Sequence, residues 1–385
     1  MHRKILIIIL LACTFGSVDA QLKKDNFSYR GYLKDLRIMS VGGGTTLQQN
    51  LIHHRINFRY QADTAWNIGL ELRNRVFYGE FLKHLPGYGD GLEVDPGMVD
   101  LSWSWINNKE LVAHTAIDRM WVNYSKNNWD IRLGRQRINW GQNIVWNPND
   151  LFNVLNFADF DYEERPGSDA FKLQRYFKNS SNLQLAYKFT QNSKNQVIAG
   201  LYQFNKRLYD FQILAGRYNH DVALGVGWAG NIKNAGFKGE ATFFEPMWDP
   251  DSSYRSVISS ISIDFIPKKG PYILTSLLYN SSGIGDLDRL LTLSPSSGGT
   301  LDVKQLMPNK YSAFVQASGP INPLISGSLA AILALDMNGY FLMPSIDISV
   351  KQNLDLSLVG QSFIGKRAEW ESLGSAVFVR FKLSY

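Results

Sequence analysis

The sequence predicts an all-β protein, a transmembrane antiparallel β-barrel, and three observations lead to this fold class. Apolar and polar residues alternate in segments of about ten along the chain, the pattern of strands with one lipid face and one lumen face. Aromatic residues form 13% of the sequence although its mean hydropathy is only −0.18. Beyond the N-terminal region the longest apolar run covers residues 329–335, far short of the roughly 18 residues of a membrane helix.

Residues 1–20 are typical of a secretory signal peptide. Arg3 and Lys4 precede an apolar run, and a site with small residues predicts cleavage near Ala20. The alternative is a lipoprotein signal in which Cys13 is acylated, although its apolar run is then short. Cys13 is the only cysteine of the sequence, so cleavage leaves a chain without disulfides or cysteine-ligated metals.

Residues 21–385 are predicted to form one barrel domain, because no linker or change of composition divides them. Eighteen alternating segments are identified as strands, with sixteen strands as the alternative. They cover residues 27–38, 48–60, 65–78, 112–124, 128–138, 168–177, 180–190, 196–205, 208–218, 221–231, 234–245, 254–267, 271–281, 310–318, 324–335, 339–349, 353–364 and 374–385.

The lengths of the connections support the even strand count. Short turns follow the even-numbered predicted strands, whereas the long connections 79–111, 139–167 and 282–309 follow odd-numbered ones. Bacterial barrels have short periplasmic turns and longer external loops. This sorting predicts periplasmic termini and the outer membrane of a Gram-negative bacterium. The alternative, a soluble sandwich or propeller, does not explain the sorting, and no propeller-like repeat of about 40 to 50 residues is present.

The last predicted strand runs to the final residue, with Phe381, Leu383 and Tyr385 on one face. Soluble domains usually end in a few poorly ordered residues. We therefore expect this strand to pair with the first strand and close the barrel, with its apolar face against lipid.

The segment 131–167 carries a family resemblance. Its "GRQRINWG" stretch comprises Gly134, Arg135, Gln136, Arg137, Trp140 and Gly141, and "NPNDLFN" follows at 147–153. This motif resembles a strand and loop of outer-membrane porins of the alginate-export type. The resemblance implies an eighteen-stranded passive pore whose charged lumen sets selectivity, and a terminal aromatic strand that the barrel-assembly machinery reads. Shorter loops and an acidic cluster after the motif depart from a dedicated alginate exporter, so the substrate is not transferred.

The loop 139–167 is predicted to fold into the lumen. Many of its residues are apolar, and a loop of this composition is more stable packed against the barrel wall than exposed to water. The stretch 147–150 has the composition of a turn. The end of the loop carries a charged cluster that we expect to face the basic wall: Asp159, Asp161, Glu163, Glu164 and Arg165.

A set of basic residues is predicted to line the lumen. Charges on the lipid face cost about 2–4 kcal/mol at mid-membrane, so we place the following side chains inward on the polar face of the predicted strands: Arg55, Arg59, Arg73, Arg75, Arg119 and Arg132, together with the acidic Glu71. Arg135 and Arg137 share the parity of lipid-facing residues. They lie either above the lipid band or beyond a bulge.

These features predict a porin for passive diffusion of small hydrophilic solutes. Arginine stays charged and offers a planar fork to carboxylate or phosphate, and the net charge is +6 for the whole sequence. We therefore hypothesise a weak preference for anions. The alternative is that the charged residues only solvate and brace the lumen, as any water-filled barrel requires. The predicted partners are membrane lipid, the assembly machinery and a small solute, and no nucleic acid is predicted.

Other function classes have weaker support. The stretch 360–367 resembles a phosphate-binding loop, but Arg367 replaces its Ser or Thr and no helix follows it. The histidines lack metal-ligand spacing, so no metal or cofactor is predicted. No nucleophile, base and orienting group are identified for a rim-located hydrolase. A plugged barrel with a structural or secretion-associated role is the remaining alternative.

Overall fold

The computed structural model describes residues 26–95, 97–154, 161, 167–247, 254–287 and 302–385. These residues form one closed antiparallel sheet with two short helices, α1 (Glu80–His84) and α2 (Tyr88–Glu93). Its strands are β1 (Phe27–Gly42), β2 (Thr45–Gln61), β3 (Trp66–Tyr78), β4 (Ser102–Asn107), β5 (Leu111–Lys126), β6 (Trp129–Gln136), β7 (Ser168–Tyr176), β8 (Asn182–Lys188), β9 (Val197–Lys206), β10 (Tyr209–Tyr218), β11 (Asp221–Ile232), β12 (Ala235–Pro246), β13 (Ser256–Phe265), β14 (Tyr272–Asn280), β15 (Tyr311–Asn322), β16 (Ile325–Ala334), β17 (Gly339–Lys351), β18 (Leu354–Lys366) and β19 (Trp370–Ser384).

The predicted eighteen-stranded barrel is confirmed. Each barrel strand pairs with the next along the chain, and β1 pairs with β19 over a register that runs from Tyr32 opposite Ser384 to Val41 opposite Ser375. Through this closure each of the eighteen barrel strands has a neighbour on both sides, as a sheet in lipid requires. No helix within the described ranges has the length and apolar character to cross a membrane.

The short strand β4 was not predicted. It lies in the connection 79–111 and pairs with residues 112–116 of β5, whose other edge pairs with β3. The next strand, β6, pairs only with residues 120–126 of β5, because the chain leaves the wall after Gln136. β4 therefore covers the part of the β5 edge that β6 leaves free.

Side chains alternate between the two faces of the wall, as the sequence pattern predicts. On β2, Ile52 is exposed on the outer face, whereas His53 and Arg55 are buried on the inner face. Aromatic pairs flank the short turns, for example Trp66 with Tyr124 at 4.8 Å between ring centroids. We call this end of the barrel the turn end and the opposite end the loop end.

Two apolar clusters lie on the inner face. In the larger one, the segment 138–154 packs against inward side chains of the strands from β7 to β18. In the smaller one, Leu82 of α1 packs with Leu51 and Phe77 on β2 and β3 near the loop end. In both clusters, segments of the loops lie inside the barrel. They therefore determine which part of the inner wall stays open to the lumen.

Candidate functional site

The segment 138–154 lies in the lumen against one side of the wall. Trp140, Trp146 and Phe152 are buried in the larger apolar cluster, and the rings of Trp140 and Phe152 meet edge to face at 4.9 Å. Trp140 Nε1 donates to Gln184 Oε1 on β8 at 2.9 Å, and its carbonyl accepts from Gln212 Nε2 on β10 at 2.9 Å. The segment thus has both apolar and polar contacts with the wall.

A buried carboxylate on β12 anchors this segment. Glu240 accepts hydrogen bonds from three backbone amides: Gln142 N, Asn143 N at 2.5 Å and Asn149 N at 3.0 Å. Asn143 Nδ2 also donates to Ser260 Oγ on β13 at 2.7 Å. Hydrogen bonds from amides to an ionised carboxylate are stronger than neutral ones, so Glu240 holds both arms of the loop at one place on the wall.

The turn predicted at 147–150 fits closely onto the sheet. Thr242 Oγ1 donates to the carbonyl of Pro148 at 2.8 Å, and Asn149 Nδ2 donates to the carbonyl of Val226 at 3.0 Å. A Cβ atom on Gly225 would lie 2.5 Å from Asn149 Oδ1. Because Gly225 has no side chain, the turn can pack directly against β11.

The other described part of the loop contacts the opposite wall. Asp161 Oδ1 accepts from Lys34 Nζ on β1 at 2.7 Å and lies 3.3 Å from Arg380 on β19. In the order of the sheet, β1 and β19 lie about halfway round from β12, where Glu240 holds the same loop. Four further residues of the predicted charged cluster lie outside the described residues: Asp159, Glu163, Glu164 and Arg165.

A second segment enters the barrel, which the sequence analysis did not predict. Within residues 302–310, Leu306 and Met307 are buried in the larger cluster, and Lys304 Nζ donates to Asp221 Oδ2 at 2.8 Å. Tyr218 OH donates to Asp302 Oδ1 at 3.0 Å. The apolar residues Val303, Leu306 and Met307, close together at the end of this connection, were the available signal.

The predicted inner-wall residue Arg55 is fully enclosed. It donates to Glu71 Oε2 at 2.6 Å, to Asp118 Oδ2, and to Asn57 Oδ1 at 3.0 Å, and its side chain is 1% exposed. This guanidinium braces strands β2, β3 and β5. It does not face open solvent.

Three other arginines share the same two carboxylates. Arg59 and Arg119 pair with Glu71, and Arg73 NH2 lies 2.9 Å from Asp118 Oδ1. Their side chains are 28%, 15% and 24% exposed, respectively. Together with Arg55, four cations face two anions among the described residues of this wall, so this described cluster has a net positive charge.

Sequence parity did not identify Asp118 as an inward residue. On β5 it has the parity of the outward Met120, but the register shifts by one residue between β3 and β5 after Glu71, which pairs with Arg119. A bulge of this type places two consecutive residues on one face. Asp118 and Arg119 therefore both join the inner cluster.

The last two predicted basic residues have no ion-pair partner within the described part of the chain. Arg75 NH2 lies 3.4 Å from His114 Nδ1, and its guanidinium lies over the ring of Phe77. Arg132 donates to Asn123 Oδ1 at 2.8 Å and lies 4.4 Å from the ring centroid of Trp121. Both residues extend the basic surface along the inner wall.

The structure explains the parity of Arg135, the central residue of the sequence motif. It lies near the end of β6 and donates to Asp169 Oδ1 at 2.7 Å, to Asp95 Oδ2 at 2.7 Å and to the carbonyl of Val99 at 2.7 Å. Segment 97–101 covers it, so the charge has outward parity without facing lipid. Arg135 fastens the connection between α2 and β4 to strands β6 and β7.

The other motif residues have structural roles. Gly134 has φ of 117°, a region that favours glycine, and Gln136 donates to the carbonyl of Ala170 at 2.9 Å. Arg137 is exposed. A Cβ atom on Gly141 would lie 2.1 Å from Asn147 Oδ1, so this glycine permits the tight path of the segment beside the buried Trp140.

The end of β19 meets β1 through the backbone and through one ring. Gly31 N donates to the carbonyl of Tyr385 at 2.9 Å, and Tyr385 N donates to the carbonyl of Gly31 at 3.0 Å. The Tyr385 hydroxyl lies 2.8 Å from His54 Nε2. Phe381 and Leu383 are exposed on the outer face. The described residues contain no group of three or more His, Cys, Asp or Glu side chains that could hold a metal ion.

No family model and no curated protein matches the chain, but solved structures share its fold. OccK8 (OprE) of Pseudomonas aeruginosa is 8% identical, with 94% of this chain and 98% of that chain covered and a TM-score of 0.58. OccAB4 of Acinetobacter baumannii is 8% identical, with 95% of this chain and 99% of that chain covered and a TM-score of 0.58. The P. aeruginosa outer-membrane protein OpdK, solved with vanillate, is 10% identical, with 94% of this chain and 99% of that chain covered and a TM-score of 0.59. The chain therefore has the closed eighteen-stranded barrel fold of these proteins.

Proposed function

We propose that this protein is an outer-membrane porin through which small hydrophilic solutes diffuse passively, with a preference for anions. The observation that carries the proposal is the imbalance of charge on the inner wall of β2, β3 and β5. Four arginines there share Glu71 and Asp118, and Arg75 and Arg132 add two more cations. Because arginine keeps its charge at any ordinary pH, this wall attracts anions.

The inward segments define the path that we propose for the solute. The segment 138–154 fills the side of the lumen near β8 to β13, and residues 302–310 pack beside it. The basic side chains lie on the other part of the wall. A solute therefore passes between these apolar segments and a row of partly exposed arginines. A cleft lined by charges of one sign concentrates ions of the opposite sign.

The placement of the barrel in the cell is based on its turn end, its termini and its last strand. We propose that the turn end and both termini are periplasmic, that residues 1–20 are removed on export, and that Phe381, Leu383 and Tyr385 form the strand read by the assembly machinery. The fold shared with outer-membrane proteins supports this placement. The finer likeness of residues 134–141 to alginate-export porins stays a prediction.

The test is the reversal potential of the refolded chain in a planar bilayer under a salt gradient. We expect discrete conductance steps and a shift toward the chloride potential. Exchange of Arg59 and Arg73 for Gln reduces this shift, whereas Arg255→Gln at the exposed rim, whose partner is Glu245, leaves it unchanged. A conducting barrel without anion preference would refute the selectivity. Because OpdK was crystallised with vanillate, vanillate is a suitable first test solute.

A second candidate function is a plugged barrel with a structural or secretion-associated role. The observation in its favour is the apolar packing of 138–154 and 302–310 inside the barrel. The same bilayer experiment separates the two functions, since a plugged barrel folds and inserts but gives no conductance.

A further inference from the structure

Four basic side chains lie side by side across the inner wall near the loop end. Lys34 on β1 pairs in register with His53 on β2, His53 pairs with Arg75 on β3, and Arg75 pairs with His114 on β5. We call these four residues the basic row. Directly opposed residues have Cβ atoms about 4.5–5.5 Å apart, so the row brings the cations Lys34 and Arg75 together with the ring nitrogens of two histidines.

Two members of the row lack the partners that buried polar groups normally have. His53 is 7% exposed, and neither of its ring nitrogens has a hydrogen-bond partner among the described residues. Nε of Arg75 has none there either, and its NH2 has only a long contact of 3.4 Å with His114. Buried polar groups are almost always satisfied by protein, water or a ligand, so this part of the wall has donors available to a ligand.

The neighbouring acids are already engaged elsewhere. Asp161 binds Lys34 at one end of the row, and Asp118 binds Arg55 and Arg73 one position closer to the turn end. No described carboxylate lies within ion-pair distance of Arg75. Among the described residues, no carboxylate therefore neutralises the positive charge at the centre of the row.

The short helices cover the basic row from the loop end. Tyr88 of α2 packs on Phe77 at 5.3 Å between ring centroids, and its hydroxyl lies 3.4 Å from Gln49 Nε2. Leu82 of α1 joins the same cluster with Leu51. Burial raises the pKa of the Tyr88 phenol, so this group stays neutral and supplies no negative charge to Arg75. The row lies in a sheltered part of the lumen, where electrostatic attraction is strong.

We propose that His53, Arg75 and His114 form a binding site for one oxyanion group of a solute, a carboxylate or a phosphate. The guanidinium of Arg75 supplies a planar fork of donors, and the imidazole nitrogens on either side add donors from the flanking strands. The site rests on the proposed function, because it holds the anion that enters the basic passage. It adds a discrete binding step before diffusion past the partly exposed arginines.

The experiment observes the histidines directly in the refolded chain. The protein is labelled at the Cε1 carbon of histidine, and its NMR spectrum is followed in detergent micelles during titration with sodium phosphate and, separately, sodium acetate at constant ionic strength. We expect saturable shifts of the His53 and His114 signals, assigned by His53→Gln and His114→Gln. His220, between β10 and β11, lies outside the row and serves as an internal control.

The matched variants are Arg75→Gln, which removes a guanidinium from the row, and Arg255→Gln, which removes one from the exposed rim. We expect Arg75→Gln to weaken binding at least tenfold and Arg255→Gln to change it less than twofold. Shifts with only one of the two anions support the site and identify its oxyanion. The absence of saturable shifts, or shifts that Arg75→Gln leaves intact, overturns the site.

The two proposals fail separately. If the reversal potential shows anion preference but the histidine signals do not move, the porin function stands and the site does not. If the signals move in a barrel without anion preference, the site stands and the proposed selectivity does not.

Discussion

Exchange of Glu240 for Gln is the sharpest test of how the segment 138–154 is held in the lumen. The carboxylate of Glu240 accepts from the backbone amides of Gln142, Asn143 and Asn149. Glutamine has nearly the same shape, but it has one acceptor oxygen in place of two and presents an NH2 group. At least one of the three amides therefore faces a donor in the variant.

The size of the effect follows from these three bonds. Hydrogen bonds to a charged group contribute about 1.5–3 kcal/mol each and neutral ones about 0.5–1.5 kcal/mol. Loss of one bond and of the charge on the other two weakens the anchor by about 3–5 kcal/mol. Removing a buried charge recovers part of this, so we expect a net loss of about 2 kcal/mol, which is roughly a 30-fold shift toward the released segment.

Two measurements report the release. Hydrogen exchange of the amides in residues 142–149 becomes faster by about that factor if the segment opens before exchange. Single-channel recordings show larger or noisier conductance if the released segment widens the passage. Both are compared with Glu245→Gln, a matched exchange on the same strand, where the ion-pair partner among the described residues is the exposed Arg255.

Unchanged exchange of residues 142–149 in folded Glu240→Gln barrels would show that Glu240 contributes little and that apolar packing holds the segment. An equal increase in Glu245→Gln would show a general loosening of β12 in place of a local anchor.

Three further predictions concern closure, the loop connection and pH. Gly31→Val should lower the thermal midpoint of the barrel, because its Cβ would collide with the backbone carbonyl of Arg55 on β2 and lie 2.7 Å from the hydroxyl of Tyr385; gel heat-modifiability checks this, and Gly91→Val, which meets no atom within 4 Å, should have little effect. Arg135→Lys loses the planar fork of donors, which should weaken the attachment of segment 97–101 by about 2–3 kcal/mol and make this segment sensitive to protease. If the segment stays as resistant to protease as in the wild type, Arg135 does not fasten it. Hydrogen bonds from Asn309, Lys310 and Tyr311 outweigh burial and lower the pKa of Asp336. The thermal midpoint of the wild type should therefore exceed that of Asp336→Asn at neutral pH, and this difference should disappear as the pH falls below about 4. A difference that does not depend on pH would contradict this.

The strand pattern was predictable because it is local. Each strand alternates between two environments with a period of two residues, and this period is visible in any ten-residue window. All eighteen barrel strands were identified, with boundaries that moved by a few residues, as at β1 and β15. The even count followed from the lengths of the connections.

Departures from strict alternation were not predictable. The bulge at Asp118 reverses parity over one residue and brings a second carboxylate into the arginine cluster. β4 depends on the space that the early end of β6 leaves beside β5. Both features depend on what the neighbouring strand does, and the local sequence does not contain that information.

The sequence predicted the arginines of the candidate site, but it did not predict how they pair or how exposed they are. Parity identified Arg55 and Arg73 as inward residues, but it did not separate the enclosed Arg55 from the partly exposed Arg73, because that difference depends on which carboxylates lie opposite. The entry of residues 302–310 into the barrel was missed for a similar reason. Leu306 and Met307 are buried because they pack on the larger apolar cluster, and that contact is not visible in the local sequence.

The sequence by itself determined the fold class, the number of barrel strands and the alternation between two faces along a regular strand, since these depend on residue period and turn composition. Only the tertiary structure decided which charges pair, where the inward segments dock and which arginines face the passage. Those properties arise from contacts between residues far apart in the chain, such as Glu240 with Asn149 and Asp161 with Lys34. Closure of the sheet is what brings them together.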